Sequence, residues 1–255
     1  MRKEDYIAVF DSGVGGLSVL RELIKQMPRE NYLYYGDSLH APYGKRTTQQ
    51  VRQLTMDAAQ MLMQRNVKAL VVACNTATAA AVKDLRAAYP DRIIIGIEPA
   101  LKVAADRFPG GNIGVMATPV TLREEKFHQQ LERFAGVTVH TIAVPDLVTL
   151  VEQGHTDDEQ VEALLRPVLA PYAGKLDAVV LGCTHYPFAA KVISKLLGEH
   201  TEVLDGGEGT ARETCRRLTL AGLLNQGEGS VQIENSTNDP EKIRLSMALL
   251  RQAEA

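Results

Sequence analysis

Short apolar runs alternate with helical stretches almost from end to end of this chain, and near residue 113 the alternation starts again. Tyr6–Phe10, Tyr32–Tyr35, 69–73 and Ile93–Ile97 read as buried strands. Helical stretches at Leu17–Met27, at the positions marked by Val51, Leu54, Ala58, Met61 and Leu62, and at Thr76–Ala88 separate them. After the restart come strands at Ile113–Met116, Val137–Ile142, 178–181 and 202–204. Helices are expected at Leu122–Phe134, near 146–153 and 158–170, and at 187–197. A helix over 210–224, a strand at Val231–Ile233 and a last helix from about Pro240 complete the chain. Strands that are apolar throughout, separated by helices, predict parallel sheets wrapped by helices.

The restart reads as an internal duplication. Ile7–Gly13 (IAVFDSG) parallels Ile113–Pro119 (IGVMATP), and a second pair follows at nearly the same offset. Lys68–Thr76 ends an apolar run in Cys74-Asn75-Thr76, and Leu176–His185 ends one in Cys183-Thr184-His185. Each cysteine stands where a strand stops and a polar turn begins, and in open α/β sheets that edge is where ligands bind. Two thiols delivered by two similar units suggest one site flanked by two sulfurs. The most economical chemistry for such a site is proton transfer on opposite faces of one carbon.

Composition narrows the alternatives. Twenty-eight basic against 31 acidic residues give a net charge of −3, so nothing suggests nucleic acid. No apolar run approaches the roughly 20 residues of a membrane span, and no signal peptide is visible. Three cysteines without a C-x-x-C pair argue against a disulfide framework or zinc ribbon and for a reducing, cytoplasmic compartment. Cys215, inside a helical pattern, reads as a small hydrophobe.

The remaining motifs each allow two readings. Asp11–Ser18 (DSGVGGLS) follows the first strand and opens a helix, where N–H groups favour an anion. Ser18 stands at the third glycine position of a dinucleotide fingerprint and no G-K-[ST] follows, so a carboxylate fits at least as well as a diphosphate. A tight turn without a ligand is the plainer alternative. Asp37–Gly44 (DSLHAPYG) is a polar loop suited to lining a site, or a surface connection; His40 within it has no evident partner. Thr118 and Thr121 suit a helix start, and Glu152 a solvent-facing helix end. His185, two residues after Cys183, can hold or relay a proton beside the sulfur.

Taken in order, FDSGVGGLSVL (10–20), YYGDSLHAPYG (34–44), ALVVACNTATA (69–79), IGIEPA (95–100), LVEQG (150–154), VVLGCTHYP (179–187), DGGEGTA (205–211) and TNDPEK (237–242) resemble the glutamate racemases of the aspartate/glutamate racemase family. The resemblance implies an α/β fold of two pseudo-symmetric domains, each a mostly parallel sheet flanked by helices, with the active site in the cleft between them. It divides the chain into residues 1–98 plus 207–255 and residues 99–206. It implies Cys74 and Cys183 as the catalytic acid/base pair, assisted by Asp11, His185 and Glu152. Asp11, Ser12, Tyr43, Gly44, Asn75, Thr76, Thr118, Thr121, Thr184 and His185 fall on substrate-contacting positions. No metal and no cofactor are implied; the ligand is L- or D-glutamate and the assembly a homodimer. The implied activity supplies D-glutamate for peptidoglycan. A racemase for another acidic amino acid, such as aspartate, is the nearest alternative, and a nucleotide-binding regulator with structural cysteines the more distant one.

Overall fold

The computed structural model describes residues 1–97, 100–123, 134 and 136–252. The chain divides into two compact units, Met1–Glu98 with Gly207–Gln252, and Pro99–Gly206.

The first unit holds a five-stranded parallel sheet in the order β4-β3-β1-β2-β9. Its strands are β1 (Tyr6–Asp11), β2 (Asn31–Gly36), β3 (Val67–Val72), β4 (Ile93–Gly96) and β9 (Ser230–Asn235). Every residue of β3 is buried, which is why its sequence shows no polar alternation. Its helices are α1 (Leu17–Gln26), α2 (Thr48–Met63), α3 (Asn75–Ala88), α9 (Gly207–Leu220) and α10 (Pro240–Arg251). Thr47 and Gln50 form a reciprocal capping box that fixes where α2 begins. The last two helices pack on α1, so residues far apart in sequence complete one layer.

The amino-terminal edge of this sheet contains a buried ion pair. Lys68 donates to Glu30, to the Lys3 carbonyl and to the Leu223 carbonyl, and Glu30 Oε1 accepts from Asn225 N at 2.9 Å. All three ammonium protons are thus matched, the condition for keeping a charge inside a protein.

The second unit holds a four-stranded parallel sheet in the order β6-β5-β7-β8. Its strands are β5 (Asn112–Ala117), β6 (Thr138–Ala143), β7 (Ala178–Leu181) and β8 (Glu202–Asp205). Helices α4 (Leu101–Arg107), α5 (Pro119–Arg123), α6 (Pro145–Glu152), α7 (Glu159–Leu169) and α8 (Ala190–Leu197) belong to it. The expected helix over 122–134 lies mostly outside the described residues.

Strand order shows the two sheets to be built alike: β8-β7-β5-β6 repeats β4-β3-β1-β2. The repeat extends to single hydrogen bonds. Ala73 N donates to Phe10 O at 2.8 Å, and Gly182 N donates to Met116 O at 2.7 Å. Each bond extends the ladder one step past a strand end, and a cysteine comes next.

Two helix expectations require correction. The stretch 187–197 is a 3-10 turn, Tyr186–Ala189, followed by α8 from Ala190, the tight i→i+3 turn with which helices frequently begin. The helix expected at 210–224 runs instead from Gly207 to Leu220 and stops before Gly222, whose φ of 66° is left-handed.

Candidate active site

The candidate residues fall into two groups, one in each unit. In the first, β1 ends at Asp11, which is fully buried, and Asp11 Oδ1 accepts from Gly13 N at 3.0 Å. The chain then turns sharply into α1, and a side chain at Gly16 would stand 2.6 Å from Asp11 Cβ. This close approach, rather than nucleotide binding, accounts for one glycine of the motif. Beside it β3 delivers Cys74 as the N-cap of α3. The Cys74 thiol donates to Ser12 Oγ at 3.5 Å, and Ala77 N donates to the sulfur at 3.5 Å. The sulfur therefore sits at a helix start, where the macrodipole and amide hydrogens favour negative charge.

Asn75 and Thr76 open α3, and both are buried. Among the described residues the Asn75 amide oxygen lacks a hydrogen-bond partner. A buried acceptor without a donor costs free energy unless something supplies one.

Tyr43 is buried in the same apolar cluster as Cys74, its ring centroid 6.4 Å from that of Phe10. Its hydroxyl donates to Asp37 Oδ2 at 2.7 Å. Burial, that hydrogen bond and the nearby charges of Asp37, Cys74 and Asp11 hold the phenol far above its ordinary pKa, so it remains a donor. Gly44 follows in the same 3-10 turn, Tyr43–Lys45, and is half-buried. Asp37 is the residue that sequence reasoning passed over. It is buried, its N–H donates to Asp11 O at 2.9 Å, and His40 Nδ1 lies 2.9 Å from Oδ1. His40, without an evident partner in the sequence, thus finds one. The available signal was an acidic residue directly after an apolar strand.

In the second unit Cys183 follows β7 and is buried with Thr184 and His185. His185 Nδ1 lies 3.8 Å from the Cys183 sulfur, and Nε2 lies 2.9 Å from Glu152 Oε1. Burial opposes a charge on this ring, yet the hydrogen bonds to Cys183 and Glu152 and their charges outweigh it. The His185 pKa is raised well above its usual value, a direction that favours the protonated ring.

Glu152 is the last residue of α6, and its side chain is only 13% exposed, so the solvent-facing reading fails. A carboxylate at a helix C-terminus is disfavoured by the macrodipole, and the imidazolium offsets that cost. The Tyr186 hydroxyl donates to Val144 O at 2.8 Å, fixing the residue before α6 against the turn that carries His185. Thr118 and Thr121 pair through their hydroxyls at 3.0 Å at the start of α5.

Among the described residues no group of three or more His, Cys, Asp or Glu side chains could hold a metal ion, and no helix is long and apolar enough to cross a membrane. None of the three cysteines forms a disulfide.

Known proteins of similar sequence and fold identify the family. The family model for Asp/Glu/hydantoin racemases matches residues 10–214. A glutamate racemase of Clostridium kluyveri is 47% identical over 250 residues, covering 96% of this chain and 97% of its own length. Among solved structures, the glutamate racemase isoform RacE1 from Bacillus anthracis has a TM-score of 0.88 at 33% identity, covering 100% of this chain and 97% of that one. The glutamate racemase from Francisella tularensis, solved in complex with D-glutamate, has a TM-score of 0.84 at 26% identity, covering 98% of this chain and 95% of that one. With the family model matching most of its length and relatives of nearly full length at up to 47% identity, this chain is an isomerase belonging to the Asp/Glu/hydantoin racemase family.

Proposed function

We propose that this chain interconverts L- and D-glutamate without a cofactor, using Cys74 and Cys183 as two bases on opposite faces of the substrate Cα. One observation carries the reading: two topologically equivalent strand ends each present a buried cysteine with polar partners beside the sulfur.

Racemisation removes the Cα proton and returns one from the other side. A single base would have to cross the molecular plane of the intermediate, whereas two opposed thiols need not. Cys183 as thiolate takes the proton of L-glutamate while the Cys74 thiol gives one to the opposite face; D-glutamate reverses the roles. In either direction a C–H bond breaks, its electron pair stays on the carbon, and that pair takes a proton from the opposite thiol, which becomes the thiolate. His185, protonated and backed by Glu152, is a cationic partner for the Cys183 thiolate.

The weakly acidic Cα–H needs donors aimed at the α-carboxylate, where charge grows as the proton leaves. The hydroxyls of Thr76, Thr118, Thr121 and Thr184 and the amide of Asn75 are donors of the right kind. A substrate ammonium would supply the donor that the Asn75 oxygen lacks, with Asp11 and Ser12 as further acceptors. Tyr43 and Gly44 belong on the substrate side chain.

Glutamate is favoured over aspartate because the relatives with 45–47% identity are glutamate racemases. The same reading makes the enzyme a cytoplasmic homodimer that supplies D-glutamate for peptidoglycan. Chiral chromatography of purified protein with L-glutamate, in D₂O and with no added cofactor, tests it. D-glutamate carrying deuterium at Cα is expected. No D-glutamate, or product with full protium, would overturn the reading; conversion of aspartate alone would move it to the neighbouring substrate.

A further inference from the structure

The motif TNDPEK (237–242) contributes no side chain to the chemistry above, yet the turn leading into it touches the substrate loop. Strand β9 pairs with β2 as far as Asn235 opposite Gly36, and Ser236 N donates to Gly36 O at 2.9 Å. Two side chains then cross to the loop that starts at Asp37. Asn235 Nδ2 donates to Ser38 Oγ at 2.9 Å, and Leu39 N donates to Ser236 Oγ at 2.9 Å.

The turn is itself tightly specified. Asn235 Oδ1 accepts from Thr237 N at 3.1 Å and from Thr237 Oγ1 at 2.8 Å, so the buried amide uses one end for its own turn and the other for the loop. Asn238 has a φ of 51°, a conformation asparagine tolerates better than most residues. Asp239 then caps α10 through Glu241 N at 2.9 Å. On the loop's other flank, Asp37 N donates to Asp11 O at 2.9 Å. A Cβ at Gly36 would lie 2.4 Å from Gly13 O and 3.2 Å from Asn235 Nδ2, so the strand end is held between the glycine turn and the Asn235 amide.

We propose that Asn235 and Ser236 are positioning residues: they fix the loop 37–44, and through it Tyr43 and Gly44, in the geometry that receives the substrate side chain. This rests on the assignment of Tyr43 and Gly44 to glutamate binding. The two hydrogen bonds link segments nearly two hundred residues apart, and neither touches a cysteine. Their loss changes how often the loop is correctly placed, a population effect that lowers apparent affinity in proportion to the competent fraction. The proton-transfer groups stay where they are.

The experiment uses Ser38→Ala, Ser236→Ala and the double variant in the full chain. These remove the tether and leave the internal bonds of the Asn235 turn in place. KM for L-glutamate is expected to rise about 5- to 20-fold in the double variant, with kcat within about threefold and thermal midpoints close to wild type, a split that follows from removing one to two hydrogen bonds from a loop. Hydrogen exchange of the amides in 37–44 should accelerate in parallel. KM within about twofold of wild type, or an equal fall in kcat at unchanged KM, would overturn the proposal. Should the unmodified protein fail to racemise glutamate, the functional reading fails separately. Exchange in 37–44 then decides whether the tether exists: unchanged rates refute it, and faster rates at unchanged thermal midpoint support it. If the double variant unfolds, the same measurements on Ser236→Ala, whose bond lies at the surface, decide.

Discussion

His185 and Glu152, 33 residues apart, meet through Nε2 and Oε1 at 2.9 Å, and the sulfur of Cys183 lies on the other side of the same ring. Replacing Glu152 with Gln removes the charge and keeps the shape. Gln still accepts the bond but without the charge, which gives up roughly half of the about 1.5–3 kcal/mol that a bond to a charged group contributes. Felt in the transition state, that loss lowers kcat/KM about 3- to 10-fold. Steady-state kinetics with L-glutamate measure it.

The same pair predicts a pH dependence of stability. The native His185 pKa is raised above its unfolded value, so its contribution is complete below about pH 6.5 and is lost as pH rises through the native value. Wild type should lose more unfolding free energy than Glu152→Gln between about pH 6 and about pH 9. Urea titrations at the two pH values read the difference, and equal losses would show that His185 is not held protonated by Glu152.

Cys74→Ala and Cys183→Ala should each fold normally and lose racemisation by at least about 10²-fold, the lower end of what a positioned acid or base supplies. The two variants should differ in isotope exchange. With Cys74 gone, Cys183 can still remove and return the proton of L-glutamate on one face. That enantiomer then takes up deuterium from D₂O without inverting, and NMR of the Cα proton with chiral chromatography separates the two events.

Glu30→Ala leaves the Lys68 ammonium buried with carbonyl partners but no counter-charge. Breaking a buried pair from one side costs about 3–5 kcal/mol. Denaturant unfolding should show that loss, and kcat/KM per folded molecule should stay at the wild-type value, since Glu30 lies at the amino-terminal edge of the sheet.

Much of this was legible in the sequence because parallel strands buried on both faces announce themselves as unbroken apolar runs. The run before Cys74 and the run before Cys183 both form strands whose next-but-one residue is the cysteine. What apolar periodicity could not supply was partnership. Nothing in Asn31–Gly36 says that its second neighbour is Ser230–Asn235, because a parallel pairing leaves no local mark on either strand. In sequence Asp37 is one polar loop residue among several; its contacts with Tyr43 and His40 set it apart. Glu152 suits a solvent-facing position because a helix end is usually exposed, and only the tertiary approach of His185 makes it otherwise. Pro187 suits the opening of an α-helix, whereas the turn it sits in is tighter.

The position of β9 beyond β2 has a consequence for biosynthesis. While the ribosome is still making the second unit, the nascent first unit has one flank of Asn31–Gly36 uncovered, and a naked apolar strand border invites pairing with other chains. Only when residues 230–235 emerge is that border sealed. Synthesis of residues 37–229 is therefore an interval in which the nascent chain lacks the partner that closes this border to edge-to-edge pairing.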